Sequence, residues 1–226
     1  MPFFTVRVWV PDRPGALGAV ASRIGAVRGD LVGIDILERG GGRAIDELVV
    51  ELPSDTLVDL LVSEMMQVDG VDVEDVRRSG DSLADPRLDA LETAVALVSQ
   101  HGVEPLLASL VRSSRRDFES DWATVVELDG SDHTVAVGPV PPGPWLRAFM
   151  AGSRAVVAPR PGEAAPDDVA WADLDAAGLV LILGRRGRPF RIRERRQLSA
   201  LARIVDSRWV ELSSRNGRMA HPSASL

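Results

Sequence analysis

Residues 12–17 read Asp-Arg-Pro-Gly-Ala-Leu and stand between two different patterns. Before them, from Phe3 to Val10, apolar side chains occupy every second position, which is typical of a half-buried strand. After them, apolar residues return at helical spacing, with Leu17, Val20, Ala21 and Ile24 on one face. The six residues are therefore predicted to turn the chain sharply from a strand into a helix.

The pattern continues outward into a complete small domain. Two further strands, Leu31 to Glu38 and Ala44 to Leu52, flank a glycine-rich connection that suits an antiparallel hairpin. Ser54 is a good N-cap for a second helix, and a last strand runs from Val71 to Arg77. The inner face of that second helix is predicted to hold Leu57, Leu60, Leu61 and Met65. The order β-α-β-β-α-β predicts a ferredoxin-like fold, with both helices on one face of a four-stranded antiparallel sheet.

The turn at residues 12–17 resembles the D-x-P-G-x-L signature of ACT domains, and the resemblance extends over Phe3 to Arg78. It implies an amino-acid-binding domain that works as a dimer. Amides at the start of the helix can receive a carboxylate, helped by the helix dipole, and Asp12 can face the ammonium group. In ACT domains the strand after the first helix usually lies at a dimer interface and completes the pocket. The ligand-binding residues implied are Asp12, Arg13, Pro14, Gly15, Ala16 and Leu17, with Ile34 and Asp35 from a second copy.

A structural interpretation of the same turn stays open beside this one. Asp12 can simply cap the helix, Pro14 can be a favourable first-turn proline, and Gly15 can relieve a tight turn. Both interpretations can hold together. A degenerate domain that has kept only the dimer is the corresponding functional alternative.

The rest of the chain is predicted to form a second domain. The predicted divisions are an ACT domain at 1–79, a linker at 80–86, a second domain at 87–209 and a flexible tail at 210–226. The second domain is predicted to open with two helices, and the inner face of the first holds Leu88, Leu91, Val95 and Val98. The later elements predicted are strands at Trp122 to Leu128, His133 to Val137, Arg154 to Ala158 and Gly178 to Leu183, with helices near Trp145 to Ala151 and at Ile192 to Trp209.

This second part resembles a GAF domain over Leu88 to Trp209. The resemblance is carried by the apolar strand at residues 178–184, by Arg188-Pro189-Phe190, and by the helix start at 197–202. It implies an antiparallel sheet flanked by helices. The cysteine that holds a bilin in photoreceptor GAF domains is missing, and so is the asparagine-lysine-phenylalanine pattern of the cyclic-nucleotide binders. We expect neither of those ligands, and no cofactor.

Composition narrows the chemistry further. The 226 residues contain no cysteine, so neither a disulfide framework nor a thiolate metal site is available, and no stretch reads as a secretion signal or a membrane span. A cytoplasmic protein is expected. The three histidines, His101, His133 and His221, lie in unrelated contexts, which argues against a catalytic or metal site. We expect a protein that is not an enzyme.

These observations favour a dimeric, non-catalytic sensor of an amino acid or similar small acid. One alternative starts from the nine arginines between Arg185 and Arg208. Only two acidic residues in this segment, Glu194 and Asp206, offset their charge, so the segment could bind nucleic acid or a protein partner. The net charge of −7 and the lack of interleaved aromatic residues make nucleic acid the weaker interpretation. A second alternative is an accessory subunit of an enzyme of amino-acid metabolism.

Overall fold

The chain divides into two compact units, each built on its own four-stranded antiparallel sheet. The computed structural model describes residues 1–79, 85–127, 133–155 and 168–219. The first unit is Met1–Asp85 with Arg191–Arg193, and the second is Pro86–Phe190 with Glu194–Leu226. The predicted α+β class, with antiparallel sheets flanked by helices, is confirmed.

The first unit has the predicted β-α-β-β-α-β order. Its elements are β1 (Phe3–Pro11), α1 (Ala16–Ala26), β2 (Asp30–Gly40), β3 (Arg43–Glu51), a 3-10 turn (Asp55–Leu57), α2 (Val58–Met65) and β4 (Asp72–Arg78). The strand order in the sheet is β2-β3-β1-β4, and every neighbouring pair is antiparallel. This is the ferredoxin-like topology, with β1 and β3 in the centre and β2 at one edge.

The core of the first unit lies between one sheet face and the two helices. The alternate residues of β1, from Phe4 to Val10, are buried together with Val20 and Ile24 of α1. On α2 the inward residues are Leu61 and Met65, which are fully buried. Leu60 was predicted to join them, but that prediction is wrong, because 48% of Leu60 is exposed. Regular helix begins only at Val58. The inward-facing residues Leu61 and Met65 are one turn apart, and this spacing places Leu60 on the outer side of the helix.

The second unit begins with two helices and then alternates strands and helices. Its elements are α3 (Pro86–Val98), α4 (Val103–Asp117), β5 (Trp122–Glu127), β6 (His133–Val137), α5 (Gly143–Ala155), β7 (Val169–Leu174), a 3-10 turn (Asp175–Ala177), β8 (Leu179–Gly184) and α6 (Ile192–Met219). The strand order is β6-β5-β8-β7, again antiparallel throughout. Strand β8 is buried along its whole length, as its unbroken apolar sequence predicts.

Three predictions for the second unit are corrected by the structure. The closing helix does not end at Trp209: it continues to Met219, because no proline or glycine intervenes before Gly217 and because Leu212 is buried. Residues 210–219 are therefore helical, not a flexible tail. The strand predicted at Arg154 to Ala158 is wrong at its start, since Arg154 and Ala155 belong to α5. The sheet is completed instead by β7, which was not predicted.

Some predicted features lie outside the described residues. They are most of the linker, the end of the strand predicted up to Leu128, the remainder of the strand predicted up to Ala158, and the end of the predicted tail with His221.

The inner face predicted for α3 is also wrong. Leu88, Leu91, Val95 and Val98 are 52%, 66%, 62% and 47% exposed. Helix α3 instead buries its opposite face, where Leu97 enters the core of the second unit. On that face the hydroxyl of Thr93 donates a hydrogen bond of 2.7 Å to Asp117 of α4, and the side chain of Arg116 donates one of 2.9 Å to the same hydroxyl. A polar contact therefore helps to decide which side of α3 faces inward.

Candidate functional site

The predicted strand-to-helix turn is a type II β-turn formed by residues 13–16. The amide of Ala16 donates to the carbonyl oxygen of Arg13 at 3.3 Å. Pro14 holds the second position, and Gly15 holds the third with φ 87° and ψ −15°. A side chain at Gly15 would be strained by this left-handed backbone. Pro14 and Gly15 are therefore explained by the turn itself, whatever the turn binds.

Helix α1 starts directly after this turn and has no capping side chain. Its first backbone hydrogen bond joins the amide of Ala19 to the carbonyl of Gly15 at 3.0 Å. Helix geometry then leaves the amides of Leu17 and Gly18 without an acceptor inside the helix. The first turn also contains no acidic residue, so no side-chain charge within it offsets the positive end of the dipole. Since Ala16 uses its amide in the turn, Leu17 and Gly18 offer the donors that can receive a carboxylate.

Asp12 occupies the exposed start of the turn. Its backbone amide donates to the carbonyl of Gly42 at 2.9 Å, which joins the turn to the hairpin between β2 and β3. The interpretation of Asp12 as a helix cap is wrong, because no side chain caps α1. Arg13 and Pro14 are exposed as well, whereas Ala16 is buried and Leu17 is partly buried.

A buried carboxylate on β3, Asp46, interacts electrostatically with Asp12 at the start of this turn and was not predicted. Asp46 lies opposite Val8 of β1 and Ile36 of β2, on the sheet face that the helices cover. Only 4% of it is exposed, and its Oδ1 atom has no hydrogen-bond partner among the described residues. The sequence did contain a signal for this residue. Asp46 takes one of the alternate positions of β3 that face the core and are otherwise apolar.

The electrostatics of Asp46 connect it with the turn. Burial raises the pKa of its carboxyl, the charge of Arg39 lowers it in part, and the negative charge of Asp12 raises it again. A carboxylate in this position favours a positively charged group that reaches its unpaired oxygen, because such a group relieves both the burial and the repulsion.

Ile34 and Asp35 lie away from the turn within one chain. They are in the middle of β2, opposite Leu48 and Glu47 of β3. The turn follows the end of β1, at the edge of the sheet where Arg43 of β3 pairs with Gly40 of β2. Five residues of strand separate Asp35 from Gly40, which is about 17 Å along the sheet. The structure thus brings Asp12 to Leu17 together and leaves Ile34 and Asp35 elsewhere. Their contribution from a second copy stays a prediction.

Strand β2 is nevertheless suited to an interface. It is 11 residues long and has a neighbouring strand, β3, on one side only. Ile34 and Ile36 are 46% and 39% exposed on it. Such a long edge with exposed apolar side chains is a ready template for pairing with another strand.

The opposite face of the first sheet holds a network of paired charges. Arg7 is 1% exposed and donates two hydrogen bonds to Glu47, at 3.1 and 2.8 Å, while Arg77 donates one at 2.9 Å. Burial acts to raise the pKa of Glu47, but the charges of Arg77 and Arg7 and their hydrogen bonds hold it below its ordinary value. Glu47 accepts hydrogen bonds from both arginines, so we assign this network to stability.

The second unit contains a cleft of about 930 Å³ at one end of its sheet. Two of its lining residues, Trp122 and Gly184, are in close contact, since a Cβ atom at Gly184 would come within 2.2 Å of the indole ring. The cleft is lined by Arg115, Ser120, Asp121, Trp122, Pro139, Pro141, Trp145, Asp168, Val169, Gly184, Arg185 and Arg186. The Oγ atom of Ser120 is buried there without a hydrogen-bond partner among the described residues. Chemically, indole rings beside guanidinium groups suit an anion with a flat apolar body.

Several arginines of the segment from Arg185 to Arg208 are used inside the second unit. Arg185 is 3% exposed, donates to the carbonyl of Phe118 at 2.8 Å and pairs with Glu194 at 2.7 Å. Arg188 pairs with Glu119 at 2.8 Å, and Arg208 donates to the carbonyl of Gln100 at 2.7 Å. These contacts give the three arginines a structural role and weaken the nucleic-acid interpretation.

Neither a metal cluster nor a membrane-spanning helix is found in the described part of the chain. Within residues 1–79, 85–127, 133–155 and 168–219 no group of three or more histidine or acidic residues is placed to hold a metal ion. Of the histidines, His101 lies between α3 and α4, His133 begins β6, and His221 is outside these ranges. No helix in the described part of the chain is both long and apolar enough to cross a membrane.

Comparison with known proteins shows distant structural similarity only. No protein-family model matches the chain, and no curated protein matches it. Among solved structures, the C-terminal domain of the MgtC protein from Mycobacterium tuberculosis is 16% identical, with a TM-score of 0.29, over 38% of this chain and 95% of that one. A formyltetrahydrofolate deformylase from Pseudomonas putida KT2440 is 14% identical, with a TM-score of 0.29, over 43% of this chain and 39% of that one.

A protein described as unknown, from Galdieria sulphuraria, is 16% identical, with a TM-score of 0.32, over 69% of this chain and 91% of that one. The chain is therefore defined by its own architecture, as a two-unit α+β protein whose first unit has the ferredoxin-like topology. The resemblance of the second part to GAF domains stays a prediction.

Proposed function

We propose that the chain is a non-catalytic regulatory protein that senses an amino acid through its first unit and works as a dimer. The observation that carries the proposal is the combination of an uncapped helix start with a buried, partly unpaired carboxylate that interacts electrostatically with Asp12. A free amino acid carries both an anionic and a cationic group. The first unit offers a partner for each.

The anionic group is assigned to the start of α1. The amides of Leu17 and Gly18 have no acceptor within the helix, and the dipole favours negative charge at this end. Gly18 is exposed, and the space around its Cα is open, so a carboxylate can approach the backbone closely. Hydrogen bonds between backbone amides and a carboxylate are charge-assisted and therefore stronger than neutral ones.

The cationic group is assigned to Asp46, with Asp12 nearer the solvent. An ammonium group beside the unpaired Oδ1 atom would supply the missing hydrogen bond and favour the ionised carboxyl. Protonation of Asp46 removes this attraction. Affinity for the amino acid is therefore expected to fall when the pH is lowered through the raised pKa of Asp46.

The dimer is assigned to β2. Pairing of this edge with β2 of a second copy would use the unpaired backbone groups of an 11-residue strand and cover Ile34 and Ile36. Regulation then requires that the amino acid bind one arrangement of the dimer more tightly than another.

The test is a thermal-shift screen of the full chain against the twenty amino acids near neutral pH. A ligand at 100 times its dissociation constant stabilises the protein to which it binds by about 2.7 kcal/mol. We expect one chemical group of amino acids to raise the melting temperature, and we expect Gly18→Gln and Asp46→Asn each to remove the increase.

Gly25→Gln is the matched control. Gly25 lies near the other end of α1, and, like Gly18, it has open space around it and no left-handed backbone. Both substitutions exchange a helical glycine for a better helix former, worth about 0.5 to 1 kcal/mol. A shift that survives Gly18→Gln, or one lost equally in Gly25→Gln, would contradict the assignment of the site. Sedimentation that shows a monomer at every concentration would contradict the dimer.

A further inference from the structure

Helix α3 presents a continuous apolar stripe to solvent. Its members are Leu88, Leu91, Val95 and Val98, each about half exposed or more. Contiguous apolar patches of this kind are uncommon on monomeric proteins and mark sites of interaction. The stripe is opposite the helix face that holds Thr93 and Leu97, which are 1% and 0% exposed. Covering the stripe therefore requires no rearrangement of the core.

The spacing of the stripe identifies its partner as another helix. The four residues follow one another at intervals of three, four and three, so they occupy the a and d positions of two successive heptads. This narrow seam is typical of two-stranded coiled coils, in which equal seams face each other. We propose that α3 pairs with α3 of a second copy of this chain as a short, parallel, in-register coiled coil.

The charges beside the seam select the parallel orientation. With Leu88 at position a, Arg87 is at g and Glu92 is at e, five residues later. In a parallel pair, g of one helix lies beside the following e of the other, so Arg87 faces the partner's Glu92, and the reciprocal pair forms as well. An antiparallel pair would instead place Glu92 beside the partner's Glu92 and bring like charges together.

The proposal goes beyond the amino-acid site and does not depend on it. Two heptads form a small interface, below the roughly 1,200 Å² of ordinary stable complexes, so α3 alone is expected to associate weakly. Helix α3 follows the last strand of the first unit by only seven residues. Any dimer of the first unit would therefore raise the effective concentration of one α3 relative to the other.

The absence of cysteine from the sequence makes a direct test possible. Leu91→Cys introduces a single thiol at position d, where a parallel pair in register brings two copies of the same residue together. Ala96→Cys is the control, because Ala96 is also exposed on α3 but lies off the seam. Under mild oxidation of the full chain, we expect Leu91→Cys to form the disulfide-linked dimer at least about tenfold faster than Ala96→Cys.

Orientation is tested by mixing Leu88→Cys chains with Val98→Cys chains. A parallel pair gives the two homodimers, whereas an antiparallel pair gives the mixed dimer. Equal rates for Leu91→Cys and Ala96→Cys, or a dominant mixed dimer, would overturn the proposal. No amino acid is present in this assay, so its outcome is independent of the thermal-shift result.

The charge pair provides a second readout in the Leu91→Cys chain. Glu92→Arg is expected to slow cross-linking by about threefold, because it faces the partner's Arg87 with a like charge. Exchange of both charges, Arg87→Glu with Glu92→Arg, is expected to restore the rate. If both variants cross-link as fast as the parent, the charges do not face each other and the parallel register is wrong.

Discussion

Helices α1 and α3 show comparable apolar periodicity in the sequence, yet they present it to opposite surroundings. In α1 the predicted inner residues Val20 and Ile24 are fully buried against the sheet of the first unit. In α3 all four residues predicted to face inward are exposed. Periodicity thus locates an apolar face correctly in both helices, but it does not say whether the chain itself covers that face.

The reason for the difference lies on the other side of each helix. The remaining faces of α1 carry exposed residues such as Gly18, Ala19 and Ser22, which offer the core little. The opposite face of α3 carries Leu97 and a threonine whose hydroxyl is held by Asp117 and Arg116. Leu97 and this satisfied polar contact help to hold α3 on its own unit, because buried polar groups are stable when they are hydrogen-bonded.

The largest effects expected from this comparison come from shortening the buried residues. Ile24→Ala in α1 and Leu97→Ala in α3 should each lower the free energy of unfolding of their unit by about 2 to 5 kcal/mol. Leu91→Ala removes the same number of methyl groups as Leu97→Ala from the same helix, but from its exposed stripe. In dilute protein it should change stability by no more than about 0.5 kcal/mol.

Urea denaturation followed by far-ultraviolet circular dichroism measures these differences. A large loss for Leu91→Ala in dilute protein would show that the stripe is covered within one chain. The orientation of α3 described above would then be wrong.

A middle-sized effect is expected at Thr93. Thr93→Val keeps the shape of the side chain but removes the hydroxyl that joins Asp117 and Arg116, and it should cost about 1 to 2 kcal/mol. Thr93→Ser keeps the hydroxyl and serves as the control, with a smaller loss from the missing methyl group. Equal losses in the two variants would mean that packing, and not the hydrogen bonds, fixes this face of α3.

The fold of the first unit could be predicted closely because each of its signals is local. Period-two strands, a Pro-Gly turn and a glycine-rich hairpin connection all depend on neighbouring residues. The turn between Asp12 and Leu17 was predicted for the same reason. Asp46 was not predicted, since its importance depends on strand register and burial, which join residues far apart in the sequence.

The second unit was harder to predict for physical reasons of the same kind. Strand β7 carries an aspartate and follows a polar stretch, and its place is fixed by pairing with β8 and not by its own alternation. The extra turns of α6 depend on the burial of Leu212. Arg185 was grouped with surface charges, although it is buried and paired, because charge alone does not reveal a partner nine residues away at Glu194.

The smallest expected effect concerns the sheet that α1 covers. Two adjacent carboxylates on β3, Asp46 and Glu47, should make the free energy of unfolding depend on pH in opposite directions. Asp46 has a raised pKa because it is buried, so the folded state holds its proton more tightly than the unfolded state. Its stabilising contribution is present below the unfolded pKa of about 3.9 and is lost as the pH rises through the folded pKa. Glu47 has a lowered pKa, so its contribution is present above about 4.3 and is lost as the pH falls through the folded pKa.

Asp46→Asn should therefore raise the free energy of unfolding near pH 7, by roughly 0.5 to 1 kcal/mol, while it removes amino-acid binding. Glu47→Gln should lower stability near pH 7 and make the acid limb of the pH profile shallower, because Arg7 and Arg77 lose their ionised partner. Unfolding curves recorded from pH 3 to pH 8 measure both. If Asp46→Asn destabilises the protein near neutral pH, its carboxylate already has a positive partner in the folded chain, and the cation half of the proposed site is lost with it.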